Sequence, residues 1–163
     1  MKGLFLLRHA KSSWTQPDLS DFDRPLNERG LRTAPFMGEL IKKYQFEPAI
    51  ILSSPARRAK ETAELVKLTG SLKAEVQFED RIYEASPQAL VQVASEIDDS
   101  SGSAMIVGHN PGIEGFIRFL TGAVESMPTA ALAVIDLDID RWAQLQSECG
   151  NISAIYRPKD VVT

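Results

Sequence analysis

Short apolar runs alternate along the chain with longer segments of helical periodicity. A continuous apolar run of four to seven residues is typical of a strand buried on both faces of a sheet. The sequence therefore predicts buried strands and helices in alternation. The four strongest apolar runs and then the two weaker ones lie at 3–7, 49–52, 104–107, 131–137, 75–78 and 152–156.

The periodic segments carry recognisable helix boundaries. Ser86 followed by Pro87 predicts an N-cap and a first helical residue, and Pro111 similarly opens another helix that Gly122 ends. Gly70 fits the C-terminal cap of a third helix, and Pro35 is expected to kink or restart the first one. The four predicted helices cover residues 27–44, 56–69, 88–97 and 112–120.

This order of elements defines the expected fold class. Strands and helices that alternate form βαβ units, which give a parallel sheet covered on both sides. The 163 residues are 44% hydrophobic, which suits one core. We therefore predict a single domain over residues 1–163, with a three-layer α/β/α architecture and a mainly parallel central sheet. The one cysteine, Cys149, forms no internal disulfide, and no cysteine–histidine cluster indicates zinc.

Charge and hydropathy exclude several classes of partner. Eighteen Lys and Arg against 22 Asp and Glu give a net charge of −4, whereas nucleic-acid binders usually carry a basic excess. No segment approaches the roughly 20 apolar residues of a membrane span, and the first apolar run is too short for a signal peptide. We expect a cytoplasmic protein that binds neither nucleic acid nor membrane.

The only two histidines, His9 and His109, each follow directly after a predicted strand. Arg8 precedes the first of them, and a third predicted strand ends shortly before Arg57 and Arg58. In open α/β sheets, ligands bind at the carboxyl ends of the strands. Each residue taken alone fits a solvated strand end equally well. Together they predict two imidazoles and at least two guanidiniums at one edge of the sheet.

This combination of side chains favours phosphate. A guanidinium is a planar fork of donors that matches phosphate oxygens and stays charged. Cations nearby lower the pKa of an imidazole, which then keeps a lone pair near pH 7 and can attack bound phosphorus. A metal site is disfavoured, because neither histidine motif contains a carboxylate and the arginines repel cations. We expect no metal and no cofactor.

Four motifs in a fixed order resemble the histidine phosphatase superfamily. They are Leu-Arg-His-Ala at 7–10, Arg-Pro-Leu at 24–26, the segment from Ser54 to Ala63, and Val-Gly-His-Asn-Pro at 107–111. The short chain and the spacing look like the SixA-type phosphohistidine phosphatases of bacteria. The likeness extends from about residue 2 to residue 158 and implies a phosphoglycerate mutase-like fold.

The resemblance implies a role for each matching residue. His9 would be the nucleophile, phosphorylated on nitrogen and then released by water. Three further residues would act in catalysis by binding the phosphoryl oxygens: Arg8, Arg58 and His109.

Two other arginines need separate treatment. Arg24 matches an additional arginine of the family's phosphate pocket, but an ion pair with Asp21 or Asp23 is the alternative. The spacing Arg-Ala-x-x-Thr-Ala selects Arg58 for the pocket, so Arg57 is expected to be exposed. Trp14 is expected to be a packed loop aromatic, and a lid over the pocket is the alternative.

The proton donor is less defined by the sequence. Relatives that cleave esters use a carboxylic acid, and Glu84 lies where such an acid can enter the site, although a plain loop charge fits it equally. A phosphohistidine substrate needs an acid less, because its leaving imidazole has a reference pKa of about 6.5 against about 10 for a phenol.

The family often has glycine where this chain has Ala10.

The sequence thus predicts a metal-independent phosphatase that acts through phospho-His9. The expected substrate is a protein phosphohistidine on a phosphocarrier or phosphorelay domain, or else a small phosphorylated molecule. The alternatives are a general phosphomonoesterase of the same superfamily and a non-catalytic module that binds phosphate or a phosphopeptide.

Overall fold

A six-stranded sheet forms the middle layer of the protein. The computed structural model describes residues 1–161 and orders the strands as β3-β2-β4-β1-β5-β6. The first four strands in this order run parallel, and β5 is antiparallel to β1. β6 is antiparallel to β5 and therefore runs in the same direction as β1. The strands are β1 (Lys2–Arg8), β2 (Ile50–Ser53), β3 (Val76–Phe78), β4 (Ser103–Gly108), β5 (Leu132–Leu137) and β6 (Gly150–Tyr156).

Helices cover both faces of the sheet. Helices α1 and α2 pack on one face, around a core that includes Leu7, Met37 and Val107. Helices α3 and α4 pack on the other face, around Leu6 and Ile106. The helices are α1 (Glu28–Lys43), α2 (Arg57–Gly70), α3 (Pro87–Ser95), α4 (Gly112–Thr121) and the short α5 (Pro158–Val161).

The predicted fold class is confirmed: the chain is a mixed α/β protein of the phosphoglycerate mutase-like type. All six predicted strands are present. No described helix is long and apolar enough to cross a membrane.

One predicted helix boundary is wrong, and one of the two expectations for Pro35, that the helix restarts there, is excluded. Helix α1 continues through Pro35 without restarting, because the packing of its apolar face against α2 outweighs one missing backbone hydrogen bond. Helix α2 includes Gly70 and is capped by Ser71, whose φ of 52° is left-handed. By contrast, the side chain of Ser86 caps α3 by accepting from Ala89 N, and Gly122 ends α4 at φ 78°, both as predicted.

The contact between α1 and α2 depends on a glycine. A Cβ on Gly38 would overlap the Thr69 hydroxyl and lie 3.0 Å from the Val66 carbonyl oxygen. Both groups belong to α2, so the two helix backbones approach closely at this point.

We expect Gly38→Ala to lower the free energy of unfolding by about 1–2 kcal/mol, since overpacking outweighs the gain in helix propensity. Urea unfolding measures the change. The matched control is Gly102→Ala, because a Cβ there has no atom within 4 Å. Equal stability of the two variants would contradict the close helix contact.

Candidate active site

The two histidines follow neighbouring strands of the sheet. Arg8 pairs with Gly108 across β1 and β4, so the next residue on each strand is a histidine. The His9 backbone N–H donates to Gly108 O at 3.0 Å, and the centroids of the His9 and His109 rings lie 5.1 Å apart. The predicted meeting of the two imidazoles is therefore what the structure shows.

A backbone carbonyl determines the proton position on His9. Its Nδ1 lies 2.7 Å from Ala10 O, and a carbonyl oxygen only accepts, so Nδ1 carries the proton. Nε2 is then the nitrogen with the free lone pair. The side chain is only 6% exposed, which fixes the direction of that lone pair.

His109 is held from the other side by β2. Its Nε2 lies 2.7 Å from the hydroxyl oxygen of Ser54, which follows the last residue of that strand. The same oxygen accepts from Ala56 N, so its own hydrogen can be donated to Nε2. The imidazole proton is then on Nδ1, a buried atom with no hydrogen-bond partner among the described residues.

Both imidazoles are neutral at physiological pH. The pKa of His9 is lowered to about 3, mainly by burial and also by His109, Arg58 and Arg8, while the hydrogen bond to Ala10 acts in the opposite direction. Burial and the Arg58 charge lower the pKa of His109 to about 4. A neutral His9 retains the lone pair that a nucleophile needs.

Two guanidiniums lie beside the imidazoles. Arg8 Nη1 donates to Met127 O at 3.0 Å. Arg58 is 6% exposed and donates to the backbone oxygen and the carboxylate of Asp21 at 2.7 and 3.0 Å. In both arginines Nε is buried and has no partner in residues 1–161. Buried donors are almost always hydrogen-bonded, so these two and His109 Nδ1 together indicate a site for an anion.

The loop before β5 positions Arg8. Met127 O accepts from both Arg8 and the side-chain amide of Asn110. The carboxylate of Glu114 in turn accepts from that amide and from Met127 N. Its negative charge opposes the lowering of the Arg8 pKa that burial causes.

Thr62 joins the nucleophile loop to helix α2. Its fully buried hydroxyl accepts from Ala10 N at 2.9 Å and donates to Arg58 O at 2.7 Å. One side chain thereby connects the residue after His9 to the backbone of a phosphate-binding candidate. Thr62 belongs to the motif from Ser54 to Ala63, but only the fold shows which groups its hydroxyl binds.

The structure confirms one of the two interpretations of Arg24, the ion pair with Asp21, and its role in binding phosphate stays a prediction. Its guanidinium forms an ion pair with Asp21 at 3.0 Å, yet it is buried and also donates to Ser12 Oγ at 2.7 Å. Trp14 stacks on it, with the guanidinium carbon 3.5 Å from the ring centroid. The expected packing of Trp14 is therefore a stack on a buried guanidinium of the same β1–α1 connection, and it leaves the residue 72% exposed.

Asp21 and Tyr83 were not predicted as site residues. The Asp21 carboxylate accepts from Arg24, Arg58 and, at 2.7 Å, from the Tyr83 hydroxyl. Partial burial raises its pKa, but these hydrogen bonds and the Arg58 charge lower it to about 2. Asp21 is thus ionised and does not serve as a proton donor. The Tyr83 ring also lies edge-on to His109, with centroids 5.6 Å apart.

Within residues 1–161, Glu84 and Arg57 have no direct bond to the histidines or to the other arginines of the site. Glu84 is exposed at a left-handed φ of 54°. Its carboxylate is close enough to the Tyr83 hydroxyl to add to the rise in that group's pKa that burial and Asp21 cause. Its role as an acid stays a prediction. Arg57 is 52% exposed and pairs with Glu61 on its own helix, as the motif spacing indicated for the arginine that faces away.

Known families give an independent comparison. The model of the histidine phosphatase superfamily (branch 1) matches residues 4–97, which is more than half of the chain. The chain belongs to this superfamily. An uncharacterised protein of Mycobacterium leprae is 33% identical over an alignment of 169 positions, gaps included. The alignment covers 94% of this chain and the whole of that protein.

Solved structures agree with this membership. The candidate phosphohistidine phosphatase SixA from Agrobacterium tumefaciens is 28% identical, with a TM-score of 0.82 over 96% of this chain and 98% of that one. The protein histidine phosphatase SixA complexed with tungstate has a TM-score of 0.80 at 20% identity, over 98% and 99% of the two chains. Membership in the superfamily supports phosphatase activity in general.

The two histidines allow a direct test of their charge state by proton NMR. We expect the imidazole signals of the folded protein to titrate near pH 3 for His9 and near pH 4 for His109, with His9→Asn to assign them. In urea both should titrate near 6.5. Below that pH the unfolded chain binds protons that the folded chain does not, so stability should fall as pH drops from 6.5 toward 4. A folded midpoint for His9 between 6 and 7 would contradict burial as the cause.

Thr62 gives a second test. Thr62→Val keeps the shape but leaves Ala10 N without an acceptor, which costs about 1–3 kcal/mol of stability and lets His9 move. We expect turnover at saturating substrate to fall roughly tenfold or more, since small displacements of reacting groups are costly, and Thr62→Ser to restore it. Phosphate release and urea unfolding measure the two effects. Wild-type turnover in the valine variant would show that the hydroxyl only stabilises the fold.

Proposed function

We propose that the protein is a phosphohistidine phosphatase that removes phosphate from a protein histidine through a covalent phospho-His9 intermediate. One observation carries this proposal: the unprotonated Nε2 of His9 lies among groups whose buried donors, Arg8 Nε, Arg58 Nε and His109 Nδ1, have no acceptor in the described chain. A phosphoryl group supplies both the electrophile and the missing acceptors.

The first step forms a bond from His9 Nε2 to phosphorus and breaks the bond from phosphorus to the substrate imidazole. Arginine and imidazole donors stabilise the charge on the phosphoryl oxygens in the transition state. The leaving imidazole departs neutral when its other ring nitrogen carries a proton. Water then attacks phospho-His9, its proton passes to the released phosphate, and His9 is regenerated.

Two features support a phosphohistidine substrate over an ester. Glu84, the predicted proton donor, is exposed and reaches the site through Tyr83 rather than by a direct bond to its histidines or arginines, and Asp21 has a pKa of about 2. An alkoxide or phenolate leaving group needs a proton donor far more than an imidazole does. The 28%-identical structure described as a candidate phosphohistidine phosphatase is consistent with this choice.

The donor set also supports catalysis without a metal. Three arginines, Arg8, Arg24 and Arg58, surround the two neutral histidines, and such cations stabilise an anion where another site would use a metal ion. In residues 1–161 no group of three potential metal ligands comes together. We propose that activity persists in a chelator.

The test compares phosphate release from a phosphohistidine peptide and from p-nitrophenyl phosphate, with EDTA present and His9→Ala as the blank. We expect preference for the phosphoramidate, and little effect of Glu84→Gln on it. Arg58→Met should lower kcat/KM roughly a hundredfold or more. Its matched control, Arg57→Met, should stay near wild type.

Other outcomes of this comparison have definite meanings. Preference for the ester, reduced by Glu84→Gln, would replace the proposal with a general phosphomonoesterase. Release no faster than the His9→Ala blank on either substrate would favour a non-catalytic phosphate-binding module.

A further inference from the structure

A basic cleft lies at the start of helix α1, outside the phosphate site. It measures about 490 Å³. Phe36 and Pro158 supply its apolar part, with Thr33 beside them. Three cationic side chains complete the lining: Arg29, Arg32 and Lys159.

The described side chains do not pair with the cations of this cleft. Arg29, Arg32 and Lys159 are exposed, and the part of the chain that the structure describes offers them no hydrogen bond or ion pair. By contrast, the surface residues Arg81 and Arg157 each pair with glutamate. A patch of unpaired positive charge is notable in a chain whose net charge is −4.

Both segments that line the cleft begin at the edge of the sheet where the histidines lie. Helix α1 begins at this edge. The backbone N–H of its cap residue, Asn27, donates to Lys11 O at 3.0 Å, and Lys11 follows His9 by two residues. On the other side, Tyr156 pairs with Leu132 and Leu132 pairs with Leu7. The chain therefore reaches Lys159 just beyond the edge at which β1 ends.

The chemistry of the cleft fits carboxylates on a peptide segment. Guanidiniums bind carboxylates through two parallel hydrogen bonds. The half-buried Phe36 and the buried Pro158 can contact the methylene groups of glutamate side chains. Charges at a rim mainly raise the association rate and select the partner, which is what a phosphatase acting on another protein requires.

We propose that this cleft binds an acidic segment of the phosphohistidine-bearing protein and so selects acidic partners. The inference rests on the proposed function, since it names the surface that recognises the substrate protein. The phosphoryl group binds at the histidines, while the acidic segment binds Arg29 and Arg32 at the side of the site.

Two peptides test the proposal. Each carries one phosphohistidine, a flexible ten-residue Gly-Ser linker and then six residues, glutamate in one peptide and glutamine in the other. An extended linker of this length spans at most about 33 Å, enough to reach across one edge of a domain whose radius of gyration is about 15 Å. Phosphate release gives kcat/KM for each peptide at low and high salt.

We expect the wild-type protein to prefer the glutamate peptide, roughly tenfold at low salt, and to lose that preference at high salt. Arg29→Glu with Arg32→Glu should abolish the preference through KM while leaving the glutamine peptide unchanged. The matched control is Lys42→Glu with Lys73→Glu. Both lysines are exposed; Lys42 lies in the last turn of α1 and Lys73 follows the end of α2, so both are at the helix ends far from the site. This control makes the same change in net charge and should keep the preference.

Equal rates on the two peptides for the wild-type protein would overturn the proposal, and so would a preference that survives in the arginine variant or disappears in the lysine control. These outcomes differ from a failure of the proposed function. In that case the wild-type protein would hydrolyse neither peptide faster than His9→Ala does.

Discussion

The pairing of β1 with β4 is the constraint on which the site depends. Neighbouring strands lie about 4.8 Å apart, and Arg8 is in register with Gly108. The next residue on each strand is a histidine, so the sheet itself sets the ring separation of 5.1 Å. The remaining parts orient this pair: the carbonyl of Ala10 directs Nε2 of His9, and Ser54 holds the second ring.

An anion site built this way has a cost in stability. Two guanidiniums and two imidazoles are withdrawn from water, and three of their donors lack a protein acceptor. Unsatisfied buried donors are unfavourable, and such groups are found where function requires them. Asp21 reduces the cost, because its carboxylate faces Arg24 and Arg58 from the solvent side. The large cores on both sides of the sheet supply the stability that the site lacks.

Much of this arrangement was predictable from local patterns. Apolar runs located all six strands, and the rule that ligands bind at strand ends brought His9 and His109 together. Contacts made by unrelated segments were not predictable. Nothing in the sequence around Asp21 indicates that its carboxylate meets Tyr83, 62 residues away. Likewise, Pro35 is a helix breaker by its own chemistry, and only the packing of α1 on α2 shows why the helix continues.

The position of Trp14 has a practical consequence. The chain contains two tryptophans, and the other one, Trp142, is fully buried, with its indole N–H bonded to Ser101 O. Trp14 instead stacks on the guanidinium of Arg24, which pairs with Asp21 beside the candidate site. Trp14 can therefore serve as an intrinsic fluorescent probe. Changes in the emission of the exposed indole follow events at the pocket, while the buried indole gives a constant background.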